Sequence, residues 1–127
     1  MNHRIVYLVL RYKIFICLLF IIGCSSTQSS MYKPSDGGDG WQVNVIKKAA
    51  ITDEFVCTIN GTTVIKESFP LIGDNFSKKG EYRGKKIMMN GYRTSTTSKD
   101  TSGNTQTKES YQIRVFIDDV QVDKFDF

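Results

Sequence analysis

The sequence predicts an all-β domain over residues 41–127, folded as a small antiparallel sandwich or a partly open barrel of about six to seven strands. Apolar and polar residues alternate along residues 41–45 and 111–117, which is the period of a half-buried strand. The pair Asn60-Gly61 separates two β-rich segments and is typical of a two-residue hairpin turn. No segment of this region repeats its apolar residues at the spacing of an amphipathic helix.

Short strands are predicted in the first half of this region. Trp41 opens an alternating strand, and residues 55–59 and 62–65 flank the Asn60-Gly61 turn as the two arms of a hairpin. Residues 69–72 are at best an edge strand, because Pro70 has no N–H to donate to a neighbour.

A long extended segment is predicted over residues 82–97, with Ile87, Met89 and Gly91 on one side. The polar residues 95–108 that follow are many for a hairpin loop. They form either a mobile loop that meets a partner or the tip of an elongated hairpin.

The last strand is predicted over residues 120–127, after a turn at Asp118-Asp119. Its apolar positions shift phase beyond Val122, which predicts a bulge near Asp123. Four carboxylates crowd this hairpin and raise the alternative of a metal or acid/base pair, although a turn explains them better: Asp118, Asp119, Asp123 and Asp126.

The chain begins with a different kind of segment. Residues 1–13 contain three basic residues and no acid, and residues 14–22 form an unbroken apolar run that ends at Gly23. This layout is typical of a secretory signal peptide, and the run is shorter than the ~20 residues that span a bilayer. An uncleaved anchor over residues 5–23 would place charges near mid-membrane, at roughly 2.5–3.5 kcal/mol each.

Ile21-Ile22-Gly23-Cys24 resembles the lipobox of bacterial lipoproteins. The resemblance implies that the Cys24 thiol receives a diacylglyceryl group, that the chain is cut before Cys24, and that further acylation follows. Ser25 stands where an Asp would favour inner-membrane retention, so the resemblance implies the outer membrane in a Gram-negative cell. The alternative is an ordinary signal peptide with a Cys beside its cleavage site.

Three segments are therefore expected: a signal peptide over residues 1–23, a flexible tether over residues 24–40 that carries the lipid on Cys24, and the β-domain over residues 41–127. Three of the 17 basic residues and none of the 13 acidic ones fall in residues 1–23, so the net charge of +4 drops to +1 in the rest. This balance gives no support to nucleic-acid binding.

The residue counts exclude several chemistries. The one histidine, His3, lies in the signal region, so residues 24–127 cannot form a Ser-His-Asp or Cys-His arrangement. Cys57 is the one cysteine of residues 41–127 and cannot form a disulfide within that domain, so we expect it to be buried as a small hydrophobic residue. No cofactor and no metal site is predicted.

The densest basic stretch is the candidate partner-binding site, since it can meet phosphates or an acidic protein surface. The alternative is a solvated loop and the polar face of a strand. Its residues, with two neighbours that add aromatic and guanidinium contacts, are Lys78, Lys79, Arg83, Lys85, Lys86, Tyr92 and Arg93.

These observations predict a non-enzymatic envelope lipoprotein whose β-domain binds a protein or another envelope component, as an adaptor, assembly factor or inhibitor. The alternative is a surface domain that binds a lipid or glycan in a pocket lined by Trp41, Phe55 and Met89. A small hydrolase that uses Asp, Lys, Tyr or Ser is the third hypothesis.

Overall fold

The structure, a computed structural model, describes residues 24–127 and shows two four-stranded antiparallel sheets packed on each other. The expected signal peptide and most of the lipobox, residues 1–23, lie outside the described residues. The all-β prediction is confirmed, but the strands number eight in this part of the chain, rather than six to seven. The first sheet contains β1 (Ser25–Tyr32), β2 (Trp41–Lys48), β3 (Glu54–Ile59) and β4 (Thr62–Ser68), and the second contains β5 (Asn75–Tyr82), β6 (Lys85–Lys99), β7 (Thr105–Ile117) and β8 (Val120–Asp126).

The core lies between the two sheets and is built from the alternating residues of the strands. Val43 and Val45 of β2 and Ile113 and Val115 of β7 belong to opposite sheets, and all four are fully buried in one core cluster. This is the packing expected when two sheets each bury one apolar face. The predicted inward positions of residues 41–45 and 111–117 are therefore confirmed.

Cys57 of β3 belongs to this core and is fully buried, as the sequence predicts. Burial raises the pKa of its thiol to about 12, because a thiolate would lose its hydration there. The thiol is therefore neutral at physiological pH, and its burial keeps it from pairing with another chain.

The two ends of the sandwich differ. One end, which we call the distal end, is formed by loop 33–40 and by three two-residue turns, at Asn60-Gly61, Arg83-Gly84 and Asp118-Asp119. All six turn residues have positive φ, as type I′ hairpin turns require. The hairpin turns predicted at Asn60-Gly61 and Asp118-Asp119 are confirmed.

The other end, which we call the anchor end, carries Cys24 and the loops 49–53 and 69–74. Ser25 pairs with Lys48 at the start of loop 49–53, and the backbone N–H of Ala49 donates to the Cys24 carbonyl at 3.3 Å. The attachment point of the expected lipid is therefore fixed beside these loops.

The expected tether over residues 24–40 is corrected by the structure, because Ser25–Tyr32 forms β1 and pairs with β2 along its whole length. Its side chains are mostly exposed. An edge strand of this kind is held by backbone hydrogen bonds, so it needs no apolar periodicity. Only loop 33–40 keeps the irregular conformation expected of the polar segment.

Two further expectations change. Residues 69–72 do not form an edge strand but lie in loop 69–74, since Pro70 cannot extend the ladder of β4. Residues 75–81, which the sequence leaves unassigned, instead belong to β5, which pairs with β6 from Asn75 to Tyr82.

The polar segment 95–108 is the tip of an elongated hairpin rather than a long loop. β6 and β7 stay paired from Thr94–Ser110 out to Lys99–Thr105, and only residues 100–104 form the turn. At about 3.4 Å per residue, this stretch extends about 17 Å. We call residues 94–110 the ribbon.

The bulge predicted near Asp123 is present one residue earlier. Val115 pairs with Asp123, but Phe116 pairs with Gln121, so Val122 is the extra residue of β8. Gly91 faces the interior, as predicted: a Cβ at this position would stand 2.2 Å from the Phe76 ring. Within residues 24–127 no helix has the length and hydropathy needed to cross a membrane.

Candidate functional site

The described residues form a cleft of about 330 Å³ at the anchor end, where both sheets meet loop 49–53. Loop 49–53 makes one wall, and β6 and β7 make the other where the ribbon leaves the sandwich. The side chains that line it are Ala50, Ile51, Thr52, Asp53, Phe69, Arg93, Glu109 and Tyr111.

Tyr111 is the central side chain of this cleft. Its ring is buried against Phe55 and Phe69, with centroids 5.4 Å from each. Its hydroxyl donates a hydrogen bond to the Glu109 carboxylate, and Asp53 interacts with the same hydroxyl. Burial first, and then these two carboxylates, raise the pKa of Tyr111 above its ordinary value.

Two cations complete the network. The Lys47 ammonium lies 3.2 Å from an Asp53 carboxylate oxygen and 4.5 Å from the Tyr111 ring centroid. The Arg93 guanidinium donates to Asp74 at 3.3 Å and to the Gly73 carbonyl at 2.7 Å, and it lies over the Phe69 ring. Each charge of the cleft therefore already has an opposite charge or a donor beside it.

This arrangement is suited to holding structure and to offering hydrogen bonds. A phenol whose pKa is raised stays protonated at neutral pH, so Tyr111 acts as a donor and not as a base. Among residues 24–127 no group of three or more His, Cys, Asp or Glu side chains is arranged to hold a metal ion.

Exposed aliphatic side chains stand on the two loops beside the cleft. Ile51, Leu71 and Ile72 have relative exposures of 106%, 87% and 94%, the highest of the large apolar residues described. No role for these three residues is predicted from the sequence. Their identity alone gives no signal, because only the fold brings loops 49–53 and 69–74 to one end.

The ribbon leaves the sandwich at the same end and has two open edges. β5 begins at Asn75, opposite Tyr92, and β8 ends at Asp126, opposite Gln112. Beyond those pairs, β6 and β7 bond mainly to each other. The outer N–H and C=O groups of the ribbon are therefore available to another strand.

The predicted basic site is not brought together in one patch. Lys78 pairs with Glu67 of β4 at 3.1 Å, Lys85 with Asp118 at 3.1 Å and Lys86 with Asp119 at 2.7 Å. The stretch therefore runs along edge strand β5 and around a distal turn, and most of its charge is compensated locally.

The remaining members of the predicted site are equally dispersed. Lys79 lies on β5 with no ion-pair partner among residues 24–127, and the Arg83 guanidinium lies 5.4 Å from the Tyr82 ring centroid. Tyr92 is partly exposed on the outer face of β6, beneath the Arg114 guanidinium. Arg93 belongs to the cleft at the anchor end. A partner-binding role for these residues stays a prediction.

The apolar pocket expected between the sheets is filled by its own lining. Trp41, Phe55 and Met89 are 6%, 0% and 0% exposed and belong to one packed core. Two of the acidic residues of the last hairpin have a structural role in place of a metal or acid/base role. Asp118 and Asp119 form the turn and bind Lys85 and Lys86.

The sequence does not predict that Lys47, Asp53 and Glu109 meet in the cleft. Their proximity depends on sheet packing: Asp53 precedes β3, and Glu109 lies between the polar segment 95–108 and the predicted strand 111–117. Comparison of the chain with protein-family models, with curated proteins and with solved structures finds no match.

Proposed function

We propose that this protein is a non-enzymatic lipoprotein of the bacterial envelope that is anchored by lipid on Cys24 and binds an envelope protein. Residues 14–24 support the anchor by their resemblance to a lipoprotein signal. The exposed Cys24 supports it as well, because it lies at one extremity of the sandwich, where a lipid meets no packed side chain. The outer membrane is the proposed location.

The observation that carries the binding proposal is the ribbon with its two open edges. An exposed, two-stranded extension of this length has no role in covering the core, since its side chains from Thr94 to Ser110 are almost all exposed. Open strand edges are used in protein recognition through strand addition, in which backbone hydrogen bonds supply the affinity. We infer that the partner adds a strand to the ribbon.

The cleft supports a binding function better than a catalytic one. Its two carboxylates face the Tyr111 hydroxyl and the Lys47 ammonium, so each is engaged within the protein. The proton of Tyr111 is held by burial and by these charges. The cleft thus stabilises the base from which the ribbon extends.

A crosslinked pull-down from native membranes tests the proposal with the full chain. In a shortened variant, Asn-Gly replaces residues 97–107 and closes the hairpin after the Thr96–Lys108 pair. We expect partner capture to fall by about tenfold or more, which corresponds to about 1.4 kcal/mol of binding free energy.

The matched control replaces Thr97 and Thr107, whose hydroxyls lie 3.4 Å apart, by Val. This change leaves the ribbon backbone intact, so strand addition predicts nearly normal capture. Full capture by the shortened variant would contradict the binding mode, and capture of no protein by any form would contradict the proposed function. A Cys24→Ala variant measures separately how much of the capture depends on the anchor.

A further inference from the structure

The most exposed large apolar residues of the described chain lie at the anchor end, whereas Met31 and Val120 are exposed at the distal end. Single exposed aliphatic residues are common on protein surfaces and need no explanation. Here, however, the three most exposed ones, Ile51, Leu71 and Ile72, occupy the tips of loops 49–53 and 69–74. The two loops adjoin each other, because Ile51 and Phe69 line the same cleft.

The attachment point for the chain's apolar segment lies at this same end. The Cys24 carbonyl accepts a hydrogen bond from Ala49, two residues before Ile51. Residues 1–23, with the apolar run 14–22, join the domain at Cys24. Because β1 begins at Ser25, no spacer separates this point from the sandwich. An anchor that keeps Cys24 at a bilayer therefore keeps loops 49–53 and 69–74 close to the same bilayer.

The charges around these loops allow close approach to an anionic surface. Asp53 and Asp74 in the loops and Glu54 beside them are each paired with a cation, Lys47, Arg93 and Lys66, at 3.2, 3.3 and 3.2 Å. Glu109, in the adjoining cleft, accepts the hydrogen bond of the Tyr111 hydroxyl instead. Compensated carboxylates repel lipid phosphates less than free ones do.

We propose that loops 49–53 and 69–74 dock on the bilayer surface and insert Ile51, Leu71 and Ile72 into its interfacial layer beside the lipid on Cys24. The proposal rests on the lipid anchor of the proposed function and adds a fixed orientation to it. A second attachment beside the acyl chains stops the domain from rotating about a single point.

This orientation also decides where the ribbon lies. Its side chains are mainly Ser, Thr and charged residues, which lose hydrogen bonds if they enter hydrocarbon. The sandwich therefore tilts so that the ribbon runs along the headgroup layer instead of penetrating it. A partner that adds a strand to the ribbon is then one that lies at the membrane surface.

Photolabelling of the full chain in the membranes of a bacterial host tests the docking. A phospholipid with a diazirine in its acyl chain labels side chains that enter the bilayer, and mass spectrometry maps the labelled peptides. We expect labelling of loops 49–53 and 69–74 to exceed that of the distal segment 118–121 by about tenfold, as for an interfacial segment.

Two sets of substitutions sharpen the test. The triple variant Ile51→Ser, Leu71→Ser, Ile72→Ser removes only exposed side chains, so it should fold normally and lose the labelling of both loops. The matched control is Val120→Ser, because Val120 is an exposed aliphatic residue at the distal end, with 60% exposure. This control should leave the labelling of the loops unchanged.

The mass of the Cys24 peptide distinguishes this inference from the proposed function. If Cys24 carries lipid but the loops label no more than residues 118–121, docking is overturned and the anchor stands. If the loops are strongly labelled while Cys24 carries no lipid, the docking is supported and the proposed lipid anchor is contradicted. If a photoreactive amino acid placed at Leu71 crosslinks to a protein or to a second copy, and not to lipid, the docking is also overturned.

Discussion

The two ends of the sandwich are closed in opposite ways. Three of the four connections at the distal end are two-residue turns, whereas the anchor end has loops 49–53 and 69–74 and the outgoing ribbon. Beneath the anchor end, Phe55 contacts four other aromatic rings, those of Phe69, Phe76, Tyr111 and Phe127. Beneath the distal end, Trp41 contacts Tyr32 and Tyr82.

The comparison shows which end of this fold can vary in sequence and conformation and can therefore carry a function. A type I′ turn is dictated by backbone geometry and leaves little room for variation. Loops that are supported by a rigid aromatic layer can present exposed side chains without loss of stability. The anchor end has both the larger group of packed aromatic rings and the most exposed aliphatic residues, which supports the membrane and partner contacts proposed there.

The largest expected effect comes from removing the centre of the aromatic layer. Phe55→Ala should lower the free energy of unfolding by about 3–5 kcal/mol, because the buried ring leaves a cavity among its neighbours. Tyr82→Ala is the control at the distal end, where the half-buried ring meets Trp41 at 5.0 Å. Urea denaturation compares the two variants. An equal decrease in the free energy of unfolding for Tyr82→Ala would contradict the proposed difference in packing between the two ends.

An intermediate effect is expected at the Tyr111 hydroxyl. Tyr111→Phe keeps the ring but removes the hydrogen bond to Glu109, at a cost of about 1–2 kcal/mol at neutral pH. Because the pKa of Tyr111 is higher in the folded state, this contribution is complete below about pH 10, where an unfolded tyrosine titrates. It is lost as the pH rises further.

The measurement is the difference in unfolding free energy between the wild type and Tyr111→Phe as a function of pH. We expect a constant difference from pH 7 to about pH 9 and a smaller one above about pH 10. Burial of the Cys57 thiol adds a similar alkaline loss to both proteins and cancels in the comparison. A difference that grows with alkaline pH would contradict the assigned role of Tyr111.

The smallest effect is expected at the distal end. Asp118→Asn keeps a residue that tolerates positive φ but removes the ion pair with Lys85. The hydrogen bond from Lys85, followed by that from the Lys86 backbone N–H, lowers the pKa of Asp118. Its contribution is therefore present above the ordinary carboxyl pKa of about 4 and is lost as the pH falls.

Thermal unfolding measures this small effect. The melting temperature of Asp118→Asn should lie slightly below that of the wild type at pH 7 and low salt, and the two should converge in acid or at high salt. Asp123→Asn is the control, since Asp123 has no ion-pair partner among the residues described. A large decrease in the melting temperature of Asp118→Asn that does not depend on salt would show that the ion pair is not the main contribution of Asp118 to stability.

The sequence predicts the strands that face the core, misses β1 and β5, and leaves the tip of the ribbon open between a mobile loop and an elongated hairpin. Residues 111–117 and the turn at Asn60-Gly61 are recognisable because burial imposes a period of two and the turn needs positive φ. β1, β5 and the ribbon expose most of their side chains, so backbone pairing holds them and no apolar pattern marks them.

The same distinction applies to the candidate site. A local cluster such as Lys85-Lys86 is visible in the sequence, but its neutralisation by Asp118 and Asp119 depends on strand register. Asp53 and Glu109 lie far apart in the sequence and meet at Tyr111 only because the sheets pack together. Long-range geometry of this kind cannot be obtained from composition or spacing.

If the chain is cut before Cys24, as we propose, the direct start of β1 at Ser25 sets an order for its maturation. A peptidase that cuts before Cys24 must hold the residues on both sides of that bond in its own active site. Ser25 and Ser26 are paired with Lys48 and Lys47 in the finished sheet, so they are not free to enter an enzyme. Under the proposed lipid anchor, cleavage therefore comes before Ser25 and Ser26, the first residues of β1, pair with β2. This edge of the sheet would then close only after the lipid is attached.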